Sequence, residues 1–192
     1  MASQDYAAPR LPPLPESSYD DAQKAALEDF KATRKVGFSG PWHVFIRSPE
    51  LLTHAQRMGE YLRYRCQLSG RLSELTILLV AREWSQHFEF GTHRGHALKA
   101  GVSEATIAAI IEGRRPEGLN EDEQLVWDFV TEIQRTKRVS DTTYARALAK
   151  LGERGVIDLA GIIGYYSLLA LTMNVARVGP PQGEAHLPRF PE

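Results

Sequence analysis

The sequence of 192 residues contains a single cysteine, Cys66. One thiol excludes an intrachain disulfide, a zinc site made of cysteines and a redox-active pair of thiols. The chain also lacks an excess of either charge, since 23 Lys and Arg against 24 Asp and Glu leave a net charge of −1. Because binding to nucleic acid or to a membrane surface needs a basic patch, we expect neither partner.

Long hydrophobic runs are missing as well. The most apolar segment covers residues 159–173 and is interrupted by glycine, serine and threonine, whereas a membrane-spanning helix needs about 20 apolar residues. This segment therefore predicts a buried helix. The first residues have neither the basic region nor the apolar region of a secretory signal, so we expect a cytoplasmic location.

Four prolines between positions 9 and 15 predict an extended arm over residues 1–17, because proline has a fixed φ and no backbone donor. Residues 18–192 are expected to form one all-α domain of about seven or eight helices, since apolar residues recur at helical spacing without the sustained alternation of strands. Residues 37–50 are predicted to be a loop that packs inward, because they combine glycine and proline with large apolar side chains.

Capping residues predict where the helices begin. Ser18 is expected to open the first helix, which runs until Gly37, and Ser48 with Pro49 is expected to open the second. The inner face of the second helix is predicted to contain Leu51, Leu52, Ala55, Met58 and Leu62. Further helix starts are predicted at Ser103, Asn120 and Ser140, and the last helix is expected over residues 156–177.

Ionisable residues are densest in residues 81–101, which hold three of the six histidines. Helical spacing puts Gln86, Glu89 and His93 within one face. Glu89 and His93 are one turn apart, so a carboxylate there would orient the imidazole and raise its basicity, as in general acid–base catalysis. Spacing alone favours the simpler interpretation, in which the two form a solvated pair on the helix surface.

Glu74 lies in an otherwise apolar run, where spacing alone favours a solvent-facing side chain over one that needs a buried partner. On an unbroken helix Glu74 and Glu89 would stand about 22 Å apart. We predict a break near Trp84 and Ser85, with Ser85 as a weak N-cap, which would fold the two halves into a hairpin. Glu74 belongs to a site with His93 only if that break exists.

Residues 74–78 (ELTIL), 88–93 (FEFGTH) and 97–103 (ALKAGVS) resemble the carboxymuconolactone decarboxylase family. Its members have an E-L-x-I-L helix, a Y-E-W-x-x-H segment and A-x-x-A-G-L-S after the histidine. Phe88 and Phe90 replace the Tyr and Trp. The resemblance covers almost the whole chain, including the Pro-rich start and the G-P…S-P-E segment over residues 40–50.

The sister branch of this superfamily, the alkylhydroperoxidases of the AhpD type, has a Cys-x-x-Cys pair before the histidine. Aligned on His93, the two cysteines fall on Gln86 and Glu89. Because both thiols are absent, peroxide reduction by a dithiol is disfavoured.

The resemblance implies a helical lyase that removes carbon dioxide from a small carboxylated lactone without a cofactor, in the breakdown of aromatic compounds. It implies His93 as the proton donor, Glu89 as its orienting partner and Glu74 as a further acid or base. It also implies a homotrimer or hexamer. For an anionic substrate, the candidate binding residues are Arg82, Arg94, Arg177, Gln86, Trp42 and Phe90.

Two other classes of function stay open. Glu89, His93 and His96 are spaced as three possible metal ligands along one helix, although tetrahedral sites usually draw ligands from several elements, so we expect no metal. The second alternative is a non-catalytic oligomeric protein that binds a small molecule without turning it over.

Overall fold

The computed structural model describes residues 8–34, 36–184 and 187–188. Within these ranges the chain forms eight α-helices and one short 3-10 turn, with no strand, so the predicted all-α fold of seven or eight helices is confirmed. The helices are α1 (Asp21–Thr33), α2 (Pro41–Phe45), α3 (Pro49–Tyr64), α4 (Gly70–Glu83), α5 (His87–Lys99), α6 (Glu104–Ile111), α7 (Glu121–Thr136) and α8 (Asp141–Ala176).

Most predicted helix starts are confirmed, because the caps at Ser103, Asn120 and Ser140 accept hydrogen bonds from the first turn. The prediction for α1 is wrong at both ends. Asp20 caps it in a reciprocal pair with Gln23, and the helix ends at Thr33 rather than at Gly37. The side chain of an N-cap residue accepts hydrogen bonds from free N–H groups of the first turn. The prediction placed this cap at Ser18, two residues too early.

The second helix, α3, begins at Pro49 as predicted, but its inner face is narrower than expected. Leu52, Ala55 and Leu62 are buried. Leu51 and Met58 are exposed. The buried stripe of α3 contains Gln56 and Gly59 in their place, which lie about one helical turn apart on the side of the helix that faces the domain.

The segment over residues 37–50 packs inward as predicted, although part of it is helical. It contains α2, and Trp42, Phe45 and Ile46 are all buried. Gly40 has a φ of 59°, and a side chain at this position would collide with the ring of Phe88 on α5. Glycine therefore allows the backbone just before α2 to approach Phe88 of α5 closely.

The core is arranged around α4, which is buried along almost its whole length and packs against α5, α7 and α8. In α8, Gly152 has a φ of 67° and interrupts the helical path, in agreement with separate helices predicted on its two sides. By length and composition α8 is able to span a membrane, but more than half of its apolar stretch is buried in the domain, as in the core helix of a globular protein.

Residues 8–15 run along the domain as an extended arm, and residues 16–18 form the 3-10 turn before α1. The arm predicted over residues 1–17 therefore ends two residues earlier than expected, and its residues 1–7 lie outside the described residues. The backbone N–H of Arg10 donates to the carbonyl of Ala176 at 2.9 Å, and Arg47 donates to the carbonyl of Pro12 at 2.6 Å. The arm is therefore attached both to the end of α8 and to the segment that follows α2.

Candidate active site

The turn between α4 and α5 brings the two halves of the conspicuous segment together. Helix α4 ends at Glu83, Ser85 adopts a positive φ of 46°, and α5 begins at His87. The predicted break is thus confirmed, but its cap is Gln86 rather than Ser85. The side chain of Gln86 accepts a hydrogen bond from the backbone N–H of Glu89 at 3.0 Å.

Gln86 was expected to bind substrate, and the structure gives it a different task. Its side chain is buried and its amide donates to Asn174 and to the carbonyl of Val178, both at 3.3 Å. Since every one of these contacts is within the domain, Gln86 fixes the start of α5 against the end of α8 and lies outside the cavity described below.

Glu74 and His93 meet across the hairpin. Oε2 of Glu74 lies 2.6 Å from Nδ1 of His93, and both side chains are buried. An ionised carboxylate only accepts hydrogen bonds, so Nδ1 of His93 is the donor and carries the proton. In the neutral imidazole the lone pair is then on Nε2. The expectation that Glu74 faces solvent is therefore wrong.

Arg63, at the end of α3, completes this group and was not predicted from the sequence. Its Nη1 lies 3.3 Å from Nε2 of His93 and 3.3 Å from the hydroxyl of Tyr166. Its Nη2 lies 3.6 Å from Oε1 of Glu74. A spacing signal for it existed, because Leu52, Gln56, Gly59 and Arg63 continue one helical stripe.

Burial and charge set opposite protonation states along this group. Burial lowers the pKa of His93 below its ordinary value of 6.5, and it outweighs the opposite effect of the Glu74 carboxylate. For Glu74, burial alone would raise the pKa, but the hydrogen bond to His93 and the charge of Arg63 lower it overall. At neutral pH the group therefore contains a carboxylate, a neutral imidazole and a guanidinium cation.

Glu89 has the opposite character. It is buried, and neither carboxyl oxygen has a hydrogen-bond partner among the described residues. Burial raises its pKa well above the ordinary value of 4.5, because an unpaired carboxylate in dry surroundings is strongly disfavoured. The predicted Glu89–His93 pair is not formed. Glu74 takes the orienting position, and burial favours the protonated form of Glu89.

A cavity of about 300 Å³ joins these groups. Arg63, Glu89, His93 and Tyr166 line it together with residues of α2, α8 and the segment before α2. The remaining lining residues are Arg34, Val36, Gly37, Ser39, Pro41, Trp42, Phe88, Thr92, His96, Tyr165, Leu169 and Met173. A concave apolar pocket with a few converging polar groups is the usual form of a small-molecule site.

Of the other predicted binding residues, only Trp42 lines this cavity. Phe90 is buried in the hydrophobic core, and Phe88, two positions earlier, takes the place expected for it. Arg82 lies on a smaller pocket between α4 and α7 and donates to the carbonyl of Ile111 at 2.9 Å. Arg177 is an exposed residue that ends α8 with a φ of 58°.

The further candidates Arg94 and His96 lie nearer the surface. Arg94 is within 3.8 Å of the carboxylates of Glu104 and Glu184. His96 is exposed at the cavity, with its ring 5.8 Å from that of His93. Across residues 8–34, 36–184 and 187–188, no three His, Cys, Asp or Glu side chains are grouped as metal ligands.

The sequence matches no protein-family model and no curated protein.

Proposed function

We propose that this chain is a cofactor-independent acid–base enzyme that removes carbon dioxide from a small carboxylated lactone. One observation carries the proposal: Glu89, a buried carboxyl group without a hydrogen-bond partner among the described residues, shares a cavity with His93, whose imidazole Glu74 holds in one tautomer. Pairs of titratable groups whose surroundings push their pKa values apart are typical of acid–base catalysis. The motif resemblance supports the same class of reaction.

In this proposal the substrate carboxylate approaches the guanidinium of Arg63. The bond between ring carbon and carboxylate breaks, carbon dioxide leaves, and the electron pair is delocalised into the unsaturated lactone. Glu89 then delivers its proton to carbon. Atoms and charge balance, since one carboxylate and one proton become carbon dioxide and the protonated product, and Glu89 is left as a carboxylate.

This scheme makes Glu89 rather than His93 the proton donor, and Glu74 rather than Glu89 the orienting partner of His93. The proton of His93 on Nδ1 is held by Glu74, so Nε2, which lies 3.3 Å from Nη1 of Arg63, has the lone pair and is the acceptor of the neutral imidazole. After each turnover His93 passes a proton from water to the Glu89 carboxylate, one helical turn earlier, and the hydroxide that remains combines with the released carbon dioxide as bicarbonate. The lowered pKa of His93 and the raised pKa of Glu89 favour this direction of transfer.

The apolar walls suit an unsaturated ring. Trp42 and Phe88 line the cavity beside the polar groups, and aromatic side chains provide flat contact surfaces for a planar ligand. Exclusion of water by these walls also strengthens the electrostatic contacts of the bound carboxylate.

We also propose that the active form is a homo-oligomer, as the resemblance implies. Four apolar side chains of α8 are between 37% and 70% exposed and follow one helical stripe. They are Ile157, Leu168, Leu171 and Val175. Gly164 leaves open space in the same stripe, whereas Gly161 faces Leu62 of its own chain and is not free for a partner. A second copy of α8 is the occupant that this self-complementary stripe favours.

The experiment that tests the function is a measurement of carbon dioxide release from a panel of carboxylated γ-lactones, including 4-carboxymuconolactone. The wild type is expected to turn over at least one member, and His93→Gln is expected to lose turnover. His54→Gln, which removes an exposed histidine of α3, is the matched control. Binding of the lactones by the wild type without release of carbon dioxide would support the non-catalytic alternative.

A further inference from the structure

The carboxyl group of Glu89 is placed for more than one kind of proton transfer. Glu89 is only 3% exposed and lines the cavity, and neither of its oxygens has a hydrogen-bond partner among the described residues. Glu74 differs in this respect, because its Oε2 lies 2.6 Å from Nδ1 of His93. A protonated carboxyl group donates through one oxygen, and its ionised form accepts through both. Glu89 can therefore take up a proton as well as deliver one, at two neighbouring atoms of a bound ring.

The surroundings of Glu89 also make its ionised form a strong base. Burial raises the pKa of Glu89 well above the ordinary value of 4.5, and a carboxylate with a higher pKa takes a proton from carbon more readily. The decarboxylation scheme uses only the donor form of this side chain. The acceptor form, which is present at higher pH, has no part in that scheme other than to be protonated again.

Arg63 provides the charge that the intermediate of a proton transfer on carbon needs. Its terminal nitrogens lie 3.3 Å from Nε2 of His93 and 3.6 Å from Oε1 of Glu74, but its Nε has no hydrogen-bond partner among residues 8–34, 36–184 and 187–188. Removal of a proton next to a lactone carbonyl moves negative charge onto the carbonyl oxygen. A fixed cation in a cavity that excludes water stabilises such charge strongly. A lactone without a carboxylate leaves Arg63 available for this oxygen.

The other ionisable residues at the cavity are less suited than Glu89 to act as the base. They are Arg34, Arg63, His93, His96, Tyr165 and Tyr166. The two arginines are cations without a basic site. Burial raises the pKa of both tyrosines, so both phenols stay protonated. Nε2 of His93 already faces Arg63, and His96, about two helical turns from Glu89 on α5, is exposed to solvent.

We propose that the same cavity also isomerises unsaturated γ-lactones that carry no carboxylate, by moving one proton between two ring carbons through Glu89. This inference rests on the proposed role of Glu89 as the acid that protonates carbon, and it does not depend on the loss of carbon dioxide. The cavity of about 300 Å³, with Trp42 and Phe88 among its walls, fits a small unsaturated ring.

The reaction has two proton transfers and no change of oxidation state. The Glu89 carboxylate takes a proton from the carbon next to the carbonyl of a β,γ-unsaturated lactone, so a C–H bond breaks, an O–H bond forms, and the electron pair is delocalised to the carbonyl oxygen. The O–H bond of Glu89 then breaks and the proton is added to the γ carbon. The double bond is now conjugated with the carbonyl, and Glu89 is a carboxylate again.

The test measures conversion of α-angelicalactone, a β,γ-unsaturated γ-lactone without a carboxylate, into its conjugated isomer by proton NMR, with the rate in buffer alone subtracted at each pH. The isomerisation rate of the wild type is expected to increase with pH as Glu89 ionises, whereas release of carbon dioxide from a carboxylated lactone should decrease over the same range. Glu89→Gln is expected to lower the isomerisation rate about 100-fold or more. Glu83→Gln, which removes an exposed carboxylate at the end of α4, is the matched control and should keep the wild-type rate.

A wild type that isomerises the lactone no faster than buffer alone, or a Glu89→Gln variant as fast as the wild type, would overturn the proposal. So would a wild-type rate that decreases with pH together with the release of carbon dioxide, and this readout does not depend on the folding of a variant. Isomerisation without carbon dioxide release from any carboxylated lactone would refute the decarboxylation and leave the second activity standing. Carbon dioxide release without isomerisation would do the reverse.

Discussion

The carboxylate of Glu74 lies 2.6 Å from Nδ1 of His93, although the two residues belong to different helices. This contact exists because α4 and α5 form a hairpin whose turn is fixed by the positive φ of Ser85 and by the Gln86 cap. The orientation of His93 thus depends on a helix break that has no chemical role of its own. Arg63, from α3, contacts Nε2 on the opposite side of the ring at 3.3 Å.

Glu74→Gln should separate charge from geometry in this contact. The amide oxygen still accepts a hydrogen bond from Nδ1. The negative charge of Glu74, which partly offsets the effect of burial on the pKa of His93, is lost, and the pKa of His93 should therefore decrease further. We expect the turnover number to decrease about 100-fold or more, while the chain stays folded. Steady-state kinetics and an NMR titration of His93 measure the two effects.

Glu83→Gln on the same helix is the matched control for this variant, because Glu83 is exposed and lies outside the cavity. Turnover by Glu74→Gln at the wild-type rate would contradict the orienting role of Glu74.

The dependence of activity on pH should be bell-shaped. The scheme needs neutral His93, so activity should decrease on the acid side below pH 6.5, the ordinary pKa of histidine, as the lowered pKa of this ring is reached. It also needs protonated Glu89, so activity should decrease again as the pH rises through the raised pKa of that carboxyl group. A profile of kcat/KM against pH measures both limbs.

Glu89→Gln removes the ionisation but keeps the shape of the side chain, and it should abolish the alkaline limb together with most of the turnover. If Glu89 serves only as a neutral wall of the cavity, Glu89→Gln will keep its activity and the assignment of the proton donor fails.

The same residue should make the stability of the fold depend on pH. A carboxyl group whose pKa is raised on folding contributes stability below its unfolded pKa, and this contribution is lost as the pH rises through the folded pKa. Above pH 4.5, the ordinary value for glutamate, the wild type should lose up to about 1.4 kcal/mol per pH unit relative to Glu89→Gln. Urea unfolding of both chains at several pH values measures the difference.

Glu117→Gln is the comparison for the stability series, since Glu117 is an exposed residue of the segment before α7. A difference between wild type and Glu89→Gln that stays constant with pH would show that Glu89 has the same pKa in the folded and unfolded chains.

The sequence could predict elements whose signals are local. The caps of α6, α7 and α8 and the break before α5 follow from short-range chemistry, namely a side-chain oxygen at the N-cap and a residue pair that ends the helix. Gln86 was harder to assign. A side chain in its position serves equally well as a cap or as a ligand contact, and only the packing of α8 against it decides.

The site itself required contacts between distant segments. Glu89 and His93 are correctly spaced for a pair on α5, but the approach of Glu74 from α4 occupies Nδ1 and leaves Glu89 in dry surroundings. Arg34 and Arg63 were missed because each lies at the end of a helix, where arginine is common on solvated surfaces. Their burial depends on how α1, α2 and α3 pack together, which spacing within one helix does not reveal.

The exposed stripe of α8 gives a prediction about assembly. Leu171 is 46% exposed, and a glutamate there would place a charge in the interface between two copies of the stripe, where burial without a partner is strongly unfavourable. We expect Leu171→Glu to shift the protein from an oligomer to a monomer in light-scattering measurements.

Leu51→Glu, which changes a leucine of similar exposure on α3, is the control and should keep the wild-type mass. A monomeric wild type, or an oligomer that survives Leu171→Glu, would contradict the interface. Because the stripe lies on the helix that also carries Tyr165 and Tyr166, loss of the oligomer should additionally lower turnover, whereas the Glu74–His93 contact, formed within one chain, should persist.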